Sequence, residues 1–438
     1  MSVMLERSSI GPAHCSNPRA PTRGGQRRWT KDPGSQARLV WFGVAAVINA
    51  VIAGLAAAQG RVVDHAVGAS LLVFCISIAA RHDGFVRGAF AVGRRIKSYR
   101  LHQLTYHLGQ LHRATAIAGT AWFIVAIGVA AASGDDLGRS IGLVVLAILV
   151  TMMWTARNSV RHSRHNRFEY IHRYGGWAAL AILVALVLRQ VGRSMAPGAD
   201  LADFADAARA PSVLLLVVLV GLVVHPWLGV KHLSCEVLGV TDEVVVLALP
   251  GKRSFGEYVR VSREGREWHA FAVAATGSEG PGRFSLVIRR AGDWTDKLGR
   301  DSVSEAPPTH LHVRRMRGCG FMYHAQTYEH VLFVATGAGI GPVLPYLVDE
   351  SSVDYECLWI GRNHRETIGD ELVSRILASG RVTLIDSASG RPDIGGCVAE
   401  IAERFDAVFV VSNAHVRDEV ARVCERLDVP WYGPTFDS

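Results

Sequence analysis

Hydrophobic and polar positions divide the chain in two. Up to residue 231 the apolar residues come in blocks of roughly twenty, enough for a helix to cross the hydrocarbon core of a bilayer. Six such blocks fall at 39–58, 66–81, 114–133, 140–157, 175–191 and 212–230, the second being the shortest. From 236 onward Val, Phe and Tyr alternate with polar residues in short runs: "EVVVLAL", "EYVRV", "FAVAAT", "FSLVIRRA" and "HLHVRRM". That alternation predicts a small antiparallel barrel. Past 330 the runs become continuous and apolar, "HVLFVAT", "YECLWIG", "VTLIDS" and "AVFVVSN", with amphipathic helical stretches between them. Such runs predict a parallel sheet with helices on its faces. The expected architecture is multidomain: a disordered basic tail (1–38), a six-helix transmembrane bundle (39–231), an antiparallel β-barrel (232–328) and an α/β parallel-sheet domain (329–438). The tail lacks the apolar core and cleavage site of a signal peptide.

Charge gives the bundle a direction. Loop 82–113 carries Arg87, Arg94, Arg95, Lys97, Arg100 and Arg113 against one acid, Asp83. Loop 158–174 has Arg161, Arg164, Arg167 and Arg173 against Glu169, whereas "SGDDLGRS" and 192–211 are acidic or neutral. Basic loops stay in the cytoplasm, so an integral membrane protein with both termini cytoplasmic is expected, and the lipid bilayer is its first partner. Buried helices of a soluble protein would not produce this alternation so readily. The net charge of +8 over 438 residues follows from the same bias, and no nucleic-acid partner is read from it. Seven cysteines with no C-x-x-C spacing point to neither a disulfide framework nor a zinc site. Cys75 reads as packing.

Residues 333–342, "FVATGAGIGP", form the most informative short stretch. A glycine cluster between a predicted strand and a predicted helix is the context for a dinucleotide phosphate site, with Gly337, Gly339, Gly341 and Pro342 as candidates. An ordinary strand-to-helix turn uses glycine in the same way.

Its neighbours carry a resemblance. "GEYVRV" (256–261), "EWHAFAVAA" (267–275), "GDWTDKL" (292–298), "GCG" (318–320) and "ATGAGIGP" (335–342) occur in the order of the flavin and nicotinamide domains of the ferredoxin-reductase superfamily. With the six preceding spans, the chain resembles the ferric reductase and NADPH oxidase group. Its "VVSN" and closing "VPWYGPTFDS" look most like the fungal-type transmembrane flavoproteins TmpA and TmpB, sometimes fused to adenylating domains. The resemblance implies FAD in the barrel and NADPH or NADH on the α/β domain. It maps His269 and Phe271 onto a segment that holds the isoalloxazine, with Ala270 and Ala272 replacing the usual proline and hydroxyl residue. Tyr258 is the matching contact from the preceding strand. Arg289, Arg290, Trp294 and Thr295 correspond to the grip on the FAD pyrophosphate, where arginines supply charge-assisted bonds. Arg362 and Arg391 fall where the family contacts the adenosine ribose or its phosphate, and favour NADPH. Ser412 stands where many relatives have cysteine at the nicotinamide edge, and Phe436 where a near-terminal aromatic covers the flavin. These two are the catalytic candidates.

Relatives in the ferric reductase group hold two b-type haems between their third and fifth spans. Each of those spans then needs two histidines about thirteen residues apart, on one face at different depths. Here only one layer is present, His112 and His172. The deeper positions are Val125 and Ala126 after His112, and Ala185 and Leu186 after His172. One inner b-type haem is thus the most the pair would hold; His-Arg pairs among lipid headgroups are the alternative. His225 in "VVHPWLG" reads as more embedded, an intramembrane ionisable group suited to a metal, a quinone-like substrate or a neighbouring carbonyl. His107, His162 and His165 read as interfacial.

The resulting expectation is a membrane-bound NAD(P)H oxidoreductase that passes electrons from NAD(P)H through FAD to an unidentified acceptor at or in the helical domain. A ferric reductase or superoxide-producing oxidase working through haem is the first alternative. The second is a non-enzymatic sensor or scaffold with a vestigial flavin fold.

Overall fold

The computed structural model describes residues 33–59, 62–163, 165–194, 209–275, 280–349, 351–388 and 390–434. Most of the expected basic tail lies outside them. The first half is helical: α1 (Pro33–Ala58), α2 (Val62–Ala79), α3 (Asp83–Ile96), α4 (Tyr99–Tyr106), α5 (Leu108–Ala132), α6 (Asp136–Thr155), α7 (Asn158–Ser163), α8 (His165–Ser194) and α9 (Pro211–Val224).

All six expected apolar blocks are helical, but among the described residues only four helical stretches, Gly34–Ala58, Leu108–Ala132, Asp136–Thr155 and Asn166–Arg193, are long and apolar enough to cross a membrane alone. The second block passes only with α3, across a 66° bend, and the sixth is the short stretch Pro211–Trp227. The physical causes are local. Arg81, His82 and Asp83 interrupt the apolar run after α2, and Pro226 ends the last one in a 3₁₀ turn. Small residues let the helices close: a Cβ on Gly119 of α5 would stand 2.9 Å from the Phe74 ring of α2, and Ser70 Oγ donates to the Gly119 carbonyl at 3.0 Å or less (2.9 Å). At one end of the bundle, Asp135 caps α6 and pairs with Arg189 and Arg193 of α8 at 2.6 and 2.8 Å.

The expected basic loop 82–113 is not a loop. It forms α3 and α4, with Phe85, Val92 and Ile96 exposed on α3 beside Arg94 and Arg95. The buried side of α3 meets the rest of the chain.

Next come β1 (Val230–Ser234), β2 (Glu236–Val240), β3 (Val244–Pro250), β4 (Glu257–Ser262), β5 (His269–Ala272), β6 (Arg283–Arg289), α10 (Asp293–Ser302), β7 (His310–Arg314) and β8 (Gly318–Cys319). They form two antiparallel sheets, β1-β7-β4-β5 with β8 on β4, and β2-β3-β6. Val245, Leu247, Val259, Val261, Leu286 and Ile288 are fully buried between them, and a bridge between Ala275 and Ser285 joins the sheets. The alternation expected for a barrel thus closes two sheets over one core.

The remainder comprises β9 (His330–Thr336), α11 (Leu344–Val348), β10 (Asp354–Gly361), α12 (His364–Ile368), α13 (Asp370–Leu377), β11 (Val382–Asp386), α14 (Ile394–Ile401), β12 (Ala407–Val411), α15 (Ala414–Leu427) and β13 (Trp431–Tyr432). Its sheet is parallel in the order β11-β10-β9-β12-β13. Leu332 and Val334 face one core and Val331 and Phe333 the other, so β9 is buried on both faces, as its unbroken apolar run requires.

Candidate functional site

The strand order reverses direction between β9 and β12, and ligands of open α/β sheets bind outside the carboxyl ends of the strands at such a switch point. The glycine stretch sits there. Gly337 has a φ of +51°, which a side chain rarely adopts. A Cβ on Gly339 would stand 2.4 Å from the Val411 carbonyl oxygen of β12. Across the crevice the Thr336 and Ser412 hydroxyls are 2.7 Å apart, and Trp359 Nε1 donates to the Gly337 carbonyl at 3.0 Å. Gly341 and Pro342 follow, with Gly341 packed against Val287 of the barrel. The expected helix start is replaced by a 3₁₀ turn, Gly337–Ile340, and α11 is only five residues long. Backbone N–H groups of the turn, rather than a long helix dipole, are what this loop offers an anion.

Arg362 follows β10 and is exposed. Arg391 lies beyond β11, 3.8 Å from Glu419. Both stand toward the carboxyl ends of strands beside the switch point. Phe436 lies outside the described residues.

On the barrel, His269 and Phe271 of β5 meet Trp294 of α10. The His269 and Phe271 ring centres are 4.5 and 5.9 Å from that of Trp294, with the Phe271 and Trp294 rings stacked. All three are half-buried, so they form an open aromatic shelf of the kind a flat heterocycle can cover. His269 Nε2 is 2.9 Å from Glu267. Arg289 is exposed, with Glu243 at 3.7 Å. Arg290 is instead committed to the fold: its guanidinium donates to the Thr241 carbonyl and to Asp296, both at 2.8 Å. Thr295 Oγ1 accepts from the Ala291 and Gly292 N–H groups at 3.1 Å. Asp293 and Asp296 also put negative charge in the first turn of α10, where a phosphate was expected. Of the pyrophosphate group, Arg289 is the cation best placed to serve a ligand.

Tyr258 faces the helices. Its hydroxyl donates to Asp83 of α3 at 2.8 Å, with Arg260 Nε 3.3 Å from the same carboxylate. Burial pushes the Tyr258 phenol up to about 12, so it remains a donor. Tyr258 therefore locks the barrel to the helices in the described arrangement. Arg87 pairs with Glu257, whose side chain is fully buried. Sequence reasoning missed this junction, although Asp83 had a signal: it is the lone acid among six cations.

The junction also holds a cavity of about 1050 Å³, lined by α1, α2, α5, α6, α7, α8 and α9 and by Arg260 and Arg314 of the barrel. His112 and His172 both line it, their ring centres 6.3 Å apart. His112 Nδ1 is 3.0 Å from the Ser77 carbonyl, whereas His172 Nδ1 is buried without a partner. His225 is less embedded than expected. It sits in the 3₁₀ turn after α9, and its Nδ1 is 3.2 Å from His82 Nε2. His107 closes α4; the side chains of His162 and His165 are outside the described set. Among the described residues no three or more His, Cys, Asp or Glu side chains are grouped to hold a metal ion.

Residues 321–438 match the family model described as the C-terminal domain of adenylate-forming reductase 03009. Two curated relatives from Coprinopsis cinerea, adenylate-forming reductases 06235 and 03009, are each 28% identical to this chain, over 348 and 347 residues. In both cases 76% of this chain is covered but only 33% of the relative, so the chain spans about a third of their length. Among solved structures, phthalate dioxygenase reductase has a TM-score of 0.38 at 15% identity, covering 47% of this chain and 68% of that one. The Neisseria gonorrhoeae ferredoxin NADP+ reductase with bound FAD and NADP has a TM-score of 0.36 at 11% identity, covering 47% and 98%. Likenesses at these scores carry no mechanistic weight.

Proposed function

We propose that the chain is a membrane-bound, FAD-dependent oxidoreductase that takes electrons from cytoplasmic NAD(P)H and delivers them to an acceptor at or in the helical domain. The observation that carries the reading is the glycine turn at the switch point, closed against β12 and facing the Thr336–Ser412 hydroxyl pair. The match of residues 321–438 to the C-terminal domain of a reductase supports it, as does the order of motifs, which resembles that of the flavin and nicotinamide domains of the ferredoxin-reductase superfamily.

In this reading FAD, when bound, supplies the redox chemistry, and the chain supplies position. Gly337, Gly339 and Gly341 let the backbone approach the dinucleotide pyrophosphate. Arg362 and Arg391 take the adenosine end and favour a 2′-phosphate. Ser412, oriented by Thr336, offers a hydroxyl at the nicotinamide edge. His269, Phe271 and Trp294 receive the isoalloxazine, and Arg289 serves the FAD phosphates. Protein purified in detergent should show a visible flavin band that NADPH bleaches without oxygen. Colourless protein that cannot be reconstituted with FAD would overturn the reading.

One observation favours a second reading. His112 and His172 face each other on two helices across a cavity, and the bond to the Ser77 carbonyl leaves His112 Nε2 free of that role, the second-shell pattern of a ligating histidine. His112 and His172 are the residues that would hold a single haem, and haem would supply one-electron transfer. A Soret band lost on His172→Leu would establish it; no band in haem-replete protein would leave transfer directly from flavin.

A further inference from the structure

We propose that the junction cavity is a binding site for an acidic amphiphile: an apolar chain or ring system that ends in a carboxylate or phosphate. The inference rests on the membrane reading above for the side of entry, and it names the class of molecule that the helical domain receives.

Three observations lead to it. The first is charge. Eight arginines line the cavity, from Arg38 of α1 to Arg314 of β7, and Asp83 is the one carboxylate among the lining residues. Asp83 is engaged by Tyr258 and Arg260, and Arg173 is answered by Glu169 from outside the lining; the lining itself carries far more arginines than carboxylates. The second is polarity. Phe74, Leu180, Leu183 and Leu219 form an apolar part of the same wall, which a free inorganic anion would leave unused. A volume of about 1050 Å³ is also at the upper end for small-molecule sites, roughly 300–1,000 Å³.

The third is unsatisfied bonding capacity. Gln110, on α5, lines the cavity and is only 5% exposed, yet its Oε1 has no partner. The buried His172 Nδ1 lacks one as well. Arg314 is held between the rings of Trp227 and Trp268, 4.0 and 4.8 Å from their centres, with its buried Nε unpartnered. Burial, reinforced by Arg260, pulls its pKa down to about 10, which an anion would reverse. Buried polar atoms are ordinarily hydrogen-bonded; three orphans around one cavity mark a place where a ligand completes the set. The geometry assigns the acid to Arg314 at the barrel, the apolar body to the helices, and a donor on the ligand to Gln110.

The shared chemistry has two sources, a free amphiphilic acid and an anionic phospholipid. The test uses the full chain, purified in detergent and moved to phosphatidylcholine nanodiscs, without NAD(P)H. The probe is cis-parinaric acid, a fluorescent long-chain carboxylate, compared with its methyl ester. Saturable binding of the acid about tenfold tighter than the ester is expected, the weight of one charge-assisted bond. Gln110→Leu and Arg81→Gln should each weaken it several-fold, and Arg314→Lys should weaken it less than Arg314→Met. Arg283→Gln, on the far sheet and paired with Glu236, should leave it unchanged. If nanodiscs with equal phosphatidylglycerol abolish probe binding, the source is a lipid headgroup and the chemistry stands. Equal partitioning of acid and ester, or equal binding by all variants, overturns the proposal. So does a Soret band in the purified protein with probe binding confined to haem-free material, since haem is then the occupant. The readout involves no flavin reduction, so it fails or succeeds separately from NADPH bleaching.

Discussion

His324 has no accessible surface and no hydrogen bond at either ring nitrogen. It stacks between Phe90 and His102, with ring centres 4.6 and 4.2 Å away. Burial, with His102 adding repulsion, pushes its pKa down to about 2, far below the roughly 6.5 of a free histidine. The unfolded chain therefore binds a proton that the folded chain refuses. Stability is complete above pH 6.5 and falls as the pH drops toward the folded value, by about 1.4 kcal/mol per pH unit from this group alone. Unfolding followed between pH 7 and 5 should show that slope, and His324→Phe should flatten it. A pH-independent midpoint in the unaltered protein would contradict the assignment. Ser412 makes a different kind of prediction. Removing its hydroxyl in Ser412→Ala leaves Thr336 without its 2.7 Å partner and should slow flavin reduction about tenfold. Stopped-flow bleaching would show this with little change in NADPH affinity.

At the scale of elements, the glycine turn combines what was legible with what was not. Three glycines after an apolar strand announce a close backbone approach, and the structure places that approach at the Val411 carbonyl. The helix expected after them was not legible. In an α-helix begun at Gly337, Pro342 and Pro345 would be interior and could not donate to the Ala338 and Gly341 carbonyls four residues back, and the chain turns through 3₁₀ geometry instead. Gly339→Ala should therefore disturb the loop locally, weakening NADPH binding at least tenfold, as measured by titration of the bleached flavin. Gly256 is a stronger case. Its φ is +73°, and a Cβ there would meet the Tyr323 nitrogen at 2.2 Å, so Gly256→Ala should lower stability by about 2–4 kcal/mol in a melting experiment. Helices α3 and α4 were hidden for another reason. Their charge density resembles a solvated loop, and contacts with distant parts of the chain, such as Glu257 of β4 and Trp431 of β13, hold them in place.

Across the whole molecule, those contacts join the parts. Tyr99 and Gln103 of α4 donate to the Trp431 carbonyl at 3.1 and 3.0 Å, and Tyr106 donates to the Gly433 carbonyl at 3.0 Å. Glu257 is buried against Arg87. Removing that cation in Arg87→Ala strands a buried carboxylate, a change that typically costs about 3–5 kcal/mol; Arg317 at 3.9 Å and the Ser254 N–H offset part of it. Faster hydrogen exchange in β4 and α3, with the parallel sheet unchanged, is the expected result. Uniform exchange across the chain would show that the junction is not held by this pair.

For the strongly apolar segments, sequence alone sufficed. The period of apolar positions determined which segments are helices, alternating strands or doubly buried strands, because burial on one face or two leaves its mark on every turn or every second residue. Glycine spacing determined where the parallel sheet opens a crevice. Only the tertiary structure decided that Tyr258 and Arg290 are engaged by the protein itself, that His225 sits in a terminal turn, and that arginines from distant segments surround one cavity. Those are distances between residues far apart in the chain, and charge or periodicity in one segment carries no information about which partner will neutralise it.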